Sequence, residues 1–76
     1  MLPVQCKMAR VAVGLGVREL AEKSGVSTNT IARLERGEPL KESTVRHIRA
    51  ALEAAGVEFI AENGGGAGVR LRKEQA

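Results

Sequence analysis

Thr28, Asn29, Ala32, Arg33 and Arg36 fall on one side of a helical repeat whose other side is Ile31 and Leu34. At 3.6 residues per turn Ile31 and Leu34 share a face, so the polar set is left outward. That outward set offers hydroxyl, carboxamide and guanidinium groups. Short polar and basic side chains of this kind read base edges and phosphate oxygens. The chemistry they offer is recognition rather than bond-making. Elsewhere, the only histidine, His47, and the only cysteine, Cys6, have no orienting third group in sight, so a nucleophile–base pair is not supported. One His, one Cys and no clustered ligands likewise point away from a metal site, and no cofactor is expected.

The elements that must position this set lie within residues 17–36, VRELAEKSGVSTNTIARLER. They read as two short amphipathic helices, residues 17–24 and 28–36, joined by a tight turn at Gly25: a helix-turn-helix. Leu20 and Ala21 face inward on the first helix, Ala21 being small where two helices approach closely. Gly25 can take the left-handed conformation of a C-terminal cap. Val26 follows as an apolar plug, and Ser27 can cap the next helix by accepting a backbone N–H. Glu19 and Glu22 sit in the early turns of the first helix, where acids suit its dipole.

Around this pair, residues 5–13 predict another helix, with Val4, Met8, Val11 and Ala12 as its apolar stripe and Pro3 just before it. Gly14 ends it, and Gly16 is a weak N-cap for the helix that follows. Gly37 closes the helix carrying Asn29 and Arg33, and Glu38, Pro39 and Leu40 form a loop. A fourth helix is expected over residues 42–55, burying Val45, Ile48, Ala51, Leu52 and Ala55 and leaving Arg46 and Arg49 solvated; Gly56 caps its end. The period then changes to two. Residues 57–60 and 69–72 read as short strands. The glycine-rich residues 62–68 between them read as a hairpin loop. A phosphate-binding loop would instead open a helix with a Lys and a Ser or Thr. The last residues, 73–76, are expected to fray.

With 76 residues the chain has room for one small domain, and its core must be aliphatic because Phe59 is the only aromatic residue. Twelve Lys and Arg against nine acids leave a formal charge of +3, which suits a nucleic-acid partner but is weak support alone. A single cysteine excludes an internal disulfide framework and fits a reducing compartment. No apolar run is long enough to span a bilayer and no signal peptide is visible, so a cytoplasmic, nucleoid-associated protein is expected.

The sequence resembles the Cro and phage-repressor type of helix-turn-helix protein, the xenobiotic-response-element family. The carrying residues are Ala9-Arg10, Gly14-Leu15, Glu19-Leu20-Ala21, Gly25-Val26-Ser27, Thr30-Ile31, Leu34-Glu35-Arg36-Gly37, Thr44-Val45 and Ala51-Leu52, so that it covers about residues 5–56. The resemblance implies a mainly α fold, a four-helix helix-turn-helix domain over residues 1–56; the two period-two segments add a C-terminal β-hairpin over residues 57–76. The resemblance also implies that the third helix lies in the major groove of double-stranded DNA while the preceding helix crosses the backbone. Carried over by position, Thr28, Asn29 and Arg33 become base contacts, and Arg18, Ser27, Thr30, Arg36 and Lys41 phosphate contacts. Asn29 can pair bidentately with adenine and Arg33 with guanine, at about 1–3 kcal/mol of discrimination each. Arg10 and Glu35 occupy positions that commonly form an ion pair between the first and third helices, and Arg10 is therefore structural.

Three departures stand out. Many relatives carry a polar cap and a phosphate-holding Gln where this chain has Gly16 and Val17. Backbone N–H groups at that helix start could still hold a phosphate oxygen. Ser24 stands where an apolar residue is usual, and the hairpin replaces a further helix. A lone hairpin is marginal in water, so Phe59, Ile60, Val69 and Leu71 must bury something. They could cover the end of the helical unit; pairing with a second copy as a dimer interface is the favoured expectation. A dimer would set two recognition helices about 34 Å apart on a palindromic operator. The expected function is a sequence-specific transcriptional regulator, a repressor or autoregulator, and not an enzyme. The alternative is an antitoxin or antiactivator that acts through a protein partner. It predicts an apolar or acidic outer face on the third helix, against which Thr28, Asn29, Arg33 and Arg36 argue.

Overall fold

A computed structural model describes residues 1–73. Helices α1 (Pro3–Ala12), α2 (Val17–Ser24), α3 (Thr28–Glu35) and α4 (Glu42–Ala54) precede strands β1 (Val57–Ile60) and β2 (Gly68–Leu71). The fold is thus mainly helical with a C-terminal antiparallel hairpin, as the sequence implies. The strands pair Val57 with Leu71, Glu58 with Arg70, Phe59 with Val69 and Ile60 with Gly68.

Local chemistry sets the α2–α3 turn. Gly25 ends α2 with φ +73°, and Val26 N–H donates to the Ala21 carbonyl at 3.1 Å. This is the reversal that a left-handed cap makes possible. Ser27 then starts α3, its Oγ accepting the Thr30 N–H at 3.1 Å. Gly16 is the N-cap of α2 and has no side chain to cap the first-turn N–H groups; Glu19 reaches back instead, its Oε1 accepting the Gly16 N–H at 2.8 Å. Ser24, the departure from the apolar pattern, turns its hydroxyl back onto the Leu20 carbonyl at 2.7 Å. The polar atom is thereby satisfied within its own helix.

The core joins every helix to the first strand. Cys6 and Ala9 of α1, Leu20 and Ala21 of α2, Ile31 and Leu34 of α3, Ile48 and Leu52 of α4, and Val57 of β1 are all buried. Phe59 and Val69 pack partly against this cluster, so the hairpin covers the helical unit on one face. Each fully buried Leu or Ile contributes about 1.5–3 kcal/mol.

Several elements differ from expectation. Helix α1 begins at Pro3 rather than at residue 5, because proline needs no N–H at the first helical position. Its inward face is not the stripe of Val4, Met8, Val11 and Ala12. Val4 is 57% exposed and Val11 64%, and the buried residues are Gln5, Cys6 and Ala9. Gln5 goes inward because its amide has partners there. Nε2 donates to the carbonyls of Ile60 at 3.1 Å and Gly68 at 2.9 Å, and Oε1 accepts the Leu2 N–H at 2.7 Å. A fully satisfied amide can be buried where an unpaired one cannot. Helix α3 ends at Glu35, with Arg36 as its cap residue; α4 ends at Ala54, and Ala55 is exposed. Strand β2 begins at Gly68 and stops before Arg72. Arg72 instead closes onto the end of α4, its N–H donating to Gly56 O at 2.7 Å and its guanidinium to Glu53 O at 2.9 Å. Arg49 is not merely solvated: it pairs with Glu53 at 3.2 Å and lies 5.1 Å over the Phe59 ring. Of the fraying expected over residues 73–76, positions 74–76 lie outside the described residues.

Candidate nucleic-acid interface

Helix α3 is held from beneath by Ile31, fully buried, and Leu34, 5% exposed. The rigid side of the helix therefore fixes the direction of the other. Thr28 and Asn29 are exposed in its first turn, and Arg33 stands one turn further along, its side chain 42% exposed. These three expected base contacts occupy the N-terminal part of α3 and the turn that follows it.

A groove of about 730 Å³ runs beside the helix, lined by Val26, Ser27, Thr30, Arg33, Leu40 and Lys41, with Pro39 and Thr44 completing it. It brings together four of the residues expected to touch DNA: Ser27, Thr30, Arg33 and Lys41. Thr28, Asn29, Arg18 and Arg36 are not part of its lining. Arg18 is exposed at the second position of α2, and Arg36 is exposed just past α3. Ser27 and Thr30 share a hydrogen bond between hydroxyls at 2.8 Å. Their oxygens thus organise the start of α3 before any ligand is met. Thr44 on the far wall, which carries part of the resemblance, was not expected at the site, because its position in the first turn of α4 carries no signal of a shared groove.

Glu38 was missed for a different reason. In sequence it is one loop residue between Gly37 and Pro39. In space its carboxylate lies between two of the arginines. Oε1 accepts from Arg33 Nε at 3.1 Å, and Oε2 from Arg36 Nε at 2.9 Å. Hydrogen bonds from Arg36 and then from Arg33 hold the Glu38 carboxyl below the usual range for glutamate. The only hint in the sequence was an acid two residues past a basic helix end.

Behind the interface, Arg10 and Glu35 do form a pair. Arg10 Nε donates to Glu35 Oε2 at 2.9 Å and Nη2 to Oε1 at 3.0 Å, a two-pronged contact. Arg10 Nη1 donates to the Leu15 carbonyl at 3.2 Å. The side chains are 14% and 13% exposed, so the pair is largely shielded from water. Burial works to raise the Glu35 carboxyl, and the hydrogen bonds and charge of Arg10 overcome it, leaving Glu35 below its ordinary value. The Arg10 guanidinium is pushed up by its hydrogen bonds to Glu35. The Cys6 thiol beside them is pushed up to about 12 by burial and by the negative charge of Glu35. The pair ties α1 to α3.

His47 is exposed on α4. Among the described residues no group of three or more His, Cys, Asp or Glu side chains could hold a metal ion. Nor is any helix among them long and apolar enough to cross a membrane.

A short helix capped at Ser27, laid across a second helix through a glycine turn and showing polar and basic groups outward, defines a helix-turn-helix domain. The chain belongs to the helix-turn-helix domain family, whose family model it matches over residues 5–59. The match fits the Cro and repressor type of this fold. No curated protein matches the chain. Membership makes DNA the partner to expect and regulation rather than catalysis the activity to look for.

Proposed function

We propose that this protein is a sequence-specific DNA-binding transcriptional regulator, a repressor or autoregulator that acts as a dimer on a palindromic operator. One observation carries the reading: α3 is anchored by Ile31 and Leu34 and displays Thr28, Asn29 and Arg33 on its free side. Asn29 is suited to adenine, Arg33 to guanine, and Thr28 to a thymine methyl group or a phosphate. Arg18, Ser27, Thr30 and Lys41 are assigned to phosphates, which fix register without carrying sequence information; Arg36, expected as a fifth, has its guanidinium on Glu38 and is left out of that set. The assignment of Ser27 and Lys41 is supported by their sharing one groove with Arg33.

Dimerisation is assigned to the hairpin, with Phe59, Ile60, Val69 and Leu71 as the interface residues. Leu71 is 60% exposed, and among the described residues β1 and β2 form a two-stranded sheet by themselves. Outer strand edges with unpaired backbone groups invite a second copy. Phe59 and Val69 already lean on the core, and Leu71 is the one exposed residue of the four.

The test is enrichment of duplexes from a randomised pool, followed by fluorescence anisotropy on the enriched duplex and on a scrambled one. Arg33→Ala and Asn29→Ala should each lose discrimination of about 1–3 kcal/mol at one base pair. Arg18→Ala should weaken both duplexes alike and flatten the salt dependence by about one unit of slope. No enriched sequence, or full discrimination retained by both base-contact variants, would overturn the reading. Sedimentation of wild type and Leu71→Glu at micromolar concentration tests the dimer, which the charge should split.

A further inference from the structure

We propose that Glu38 is a positioning and specificity-determining residue: its carboxylate clamps Arg33 and Arg36 so that Arg33 meets a base with its outer end and Arg36 is restrained from phosphate. This rests on the DNA-binding reading above.

The backbone builds the clamp. Gly37 adopts φ +88°, a left-handed conformation that glycine accepts without strain. The chain then folds back, so that Gly37 N–H donates to the Leu34 carbonyl at 2.9 Å and Glu38 N–H to the Arg33 carbonyl at 3.0 Å. Glu38 is thereby tied by its own main chain to the residue its side chain holds. On Arg33 it accepts from Nε. The Nη groups at the far end of the guanidinium are the pair that can grip O6 and N7 of guanine end-on. On Arg36 it takes both Nε, at 2.9 Å, and Nη2, at 2.8 Å, which occupies that cation more completely.

A stabilising role in the fold does not account for this arrangement. The Arg33, Arg36 and Glu38 side chains are 42%, 58% and 42% exposed, and ion pairs in such surroundings add little to stability. What the contact does change is the presentation of charge. A free arginine samples many rotamers, and ordering it opposes binding. Holding Arg33 beforehand removes part of that cost at a base. The carboxylate also lowers the positive potential along the end of α3, which weakens attachment to any DNA regardless of sequence. Both effects widen the gap between specific and non-specific binding.

Glu38→Gln keeps the size of the side chain and removes its charge. The probes are a duplex enriched by the wild-type protein from a randomised pool and its scrambled counterpart. The variant should bind the scrambled duplex more tightly, with a salt slope steeper by about 0.9 as Arg36 gains a phosphate. Its preference for the enriched duplex should fall roughly tenfold, the low end of what one bidentate base contact provides. An unchanged preference and slope would overturn the proposal. The free protein supplies a second readout, the Nε–Hε resonances of Arg33 and Arg36 in 15N-labelled samples. The clamp predicts that both move and exchange faster with water in Glu38→Gln, while backbone amide shifts away from residues 33–38 stay in place. Unmoved Nε–Hε resonances would overturn the clamp even with DNA binding intact. If wild type enriches no duplex, the DNA-binding reading falls and the role in discrimination with it, whereas the resonances still decide whether the contact exists.

Discussion

Replacing Arg10 with methionine keeps an apolar stem in place and removes three hydrogen bonds, two to the Glu35 carboxylate and one to the Leu15 carbonyl. What remains is a carboxylate 13% exposed to water, with the Cys6 sulfur 3.5 Å away and no guanidinium opposite. Stranding one member of a buried pair costs about 3–5 kcal/mol, and the residual exposure of both side chains places this case near 3 kcal/mol. A 76-residue domain has about 4–11 kcal/mol in total. The loss is therefore a large share, equivalent to about 12–24 °C in melting temperature. Thermal melts followed by far-ultraviolet circular dichroism at pH 7 would read it, at two protein concentrations so that association is held apart from folding. Acidity gives an independent check. In wild type the Glu35 carboxyl is lowered, so its contribution is fully present above the unfolded value of about 4.3 and is lost as pH falls through the folded one. In Arg10→Met burial acts on Glu35 without the opposing cation, so protonation relieves the variant. The gap between the two proteins must begin to narrow above about pH 4.3, as Glu35 of the variant takes up its proton, and go on narrowing below it as the wild-type contribution is lost. A loss under about 1 kcal/mol, the worth of an exposed pair, together with a gap indifferent to pH, would refute the reasoning.

Gly25→Ala should cost about 1–2 kcal/mol in urea denaturation, because φ is +73° although an added Cβ would meet nothing within 4 Å. Gly25→Asn should cost less, since asparagine tolerates that conformation, and equal losses would show that strain is not the cause. Gln5→Leu leaves the Ile60 and Gly68 carbonyls without their side-chain donor and the Leu2 N–H without its acceptor. A loss of about 2 kcal/mol and faster hydrogen exchange across β1 and β2 are expected, and a variant as stable as wild type would contradict the account of α1. Cys6, buried and with its thiol pushed up to about 12, should react with a disulfide reagent at pH 8 only through unfolding. Its labelling rate should rise with urea, and rapid labelling of the native protein would contradict the burial.

The parts of this fold that the sequence disclosed are those fixed within a few residues of themselves. The bounds of α2 follow from Gly16 and Gly25, and the start of α3 from Ser27, because caps and left-handed turns are local devices. Ile31, Leu34, Ile48 and Leu52 announce themselves by helical spacing in segments with one apolar face. The face of α1 misled because two faces were available. Apolar Val4 and Val11 stay in water, while polar Gln5 goes inside to partners 55 and 63 residues away. No local pattern contains that information. Val57 likewise looks like any strand valine, yet it is 1% exposed because the hairpin folds onto α4. At the interface, the outward residues of α3 were readable from periodicity, and Glu38 was not. Its importance comes from a glycine turn that returns it to the helix it has just left. Thr44 joins the groove only through the packing of α4 beside α3.

The two hydrogen bonds from Gln5 to the hairpin also bear on the order in which the chain can assemble. The α2–α3 unit closes over a few residues and needs nothing from elsewhere to make its turn. The inward face of α1 is different: its amide finds the Ile60 and Gly68 carbonyls only after a loop spanning most of the molecule has closed. Long closures come late, since their entropy is lost before their contacts are gained. On a ribosome that synthesises from the amino end, α1 emerges before the hairpin carbonyls that its Gln5 amide needs, so this part of its seating is completed late. Until residues beyond position 68 have emerged, the Gln5 amide lacks those two carbonyls, and α1 is held by α3 and α4, the Arg10–Glu35 pair included.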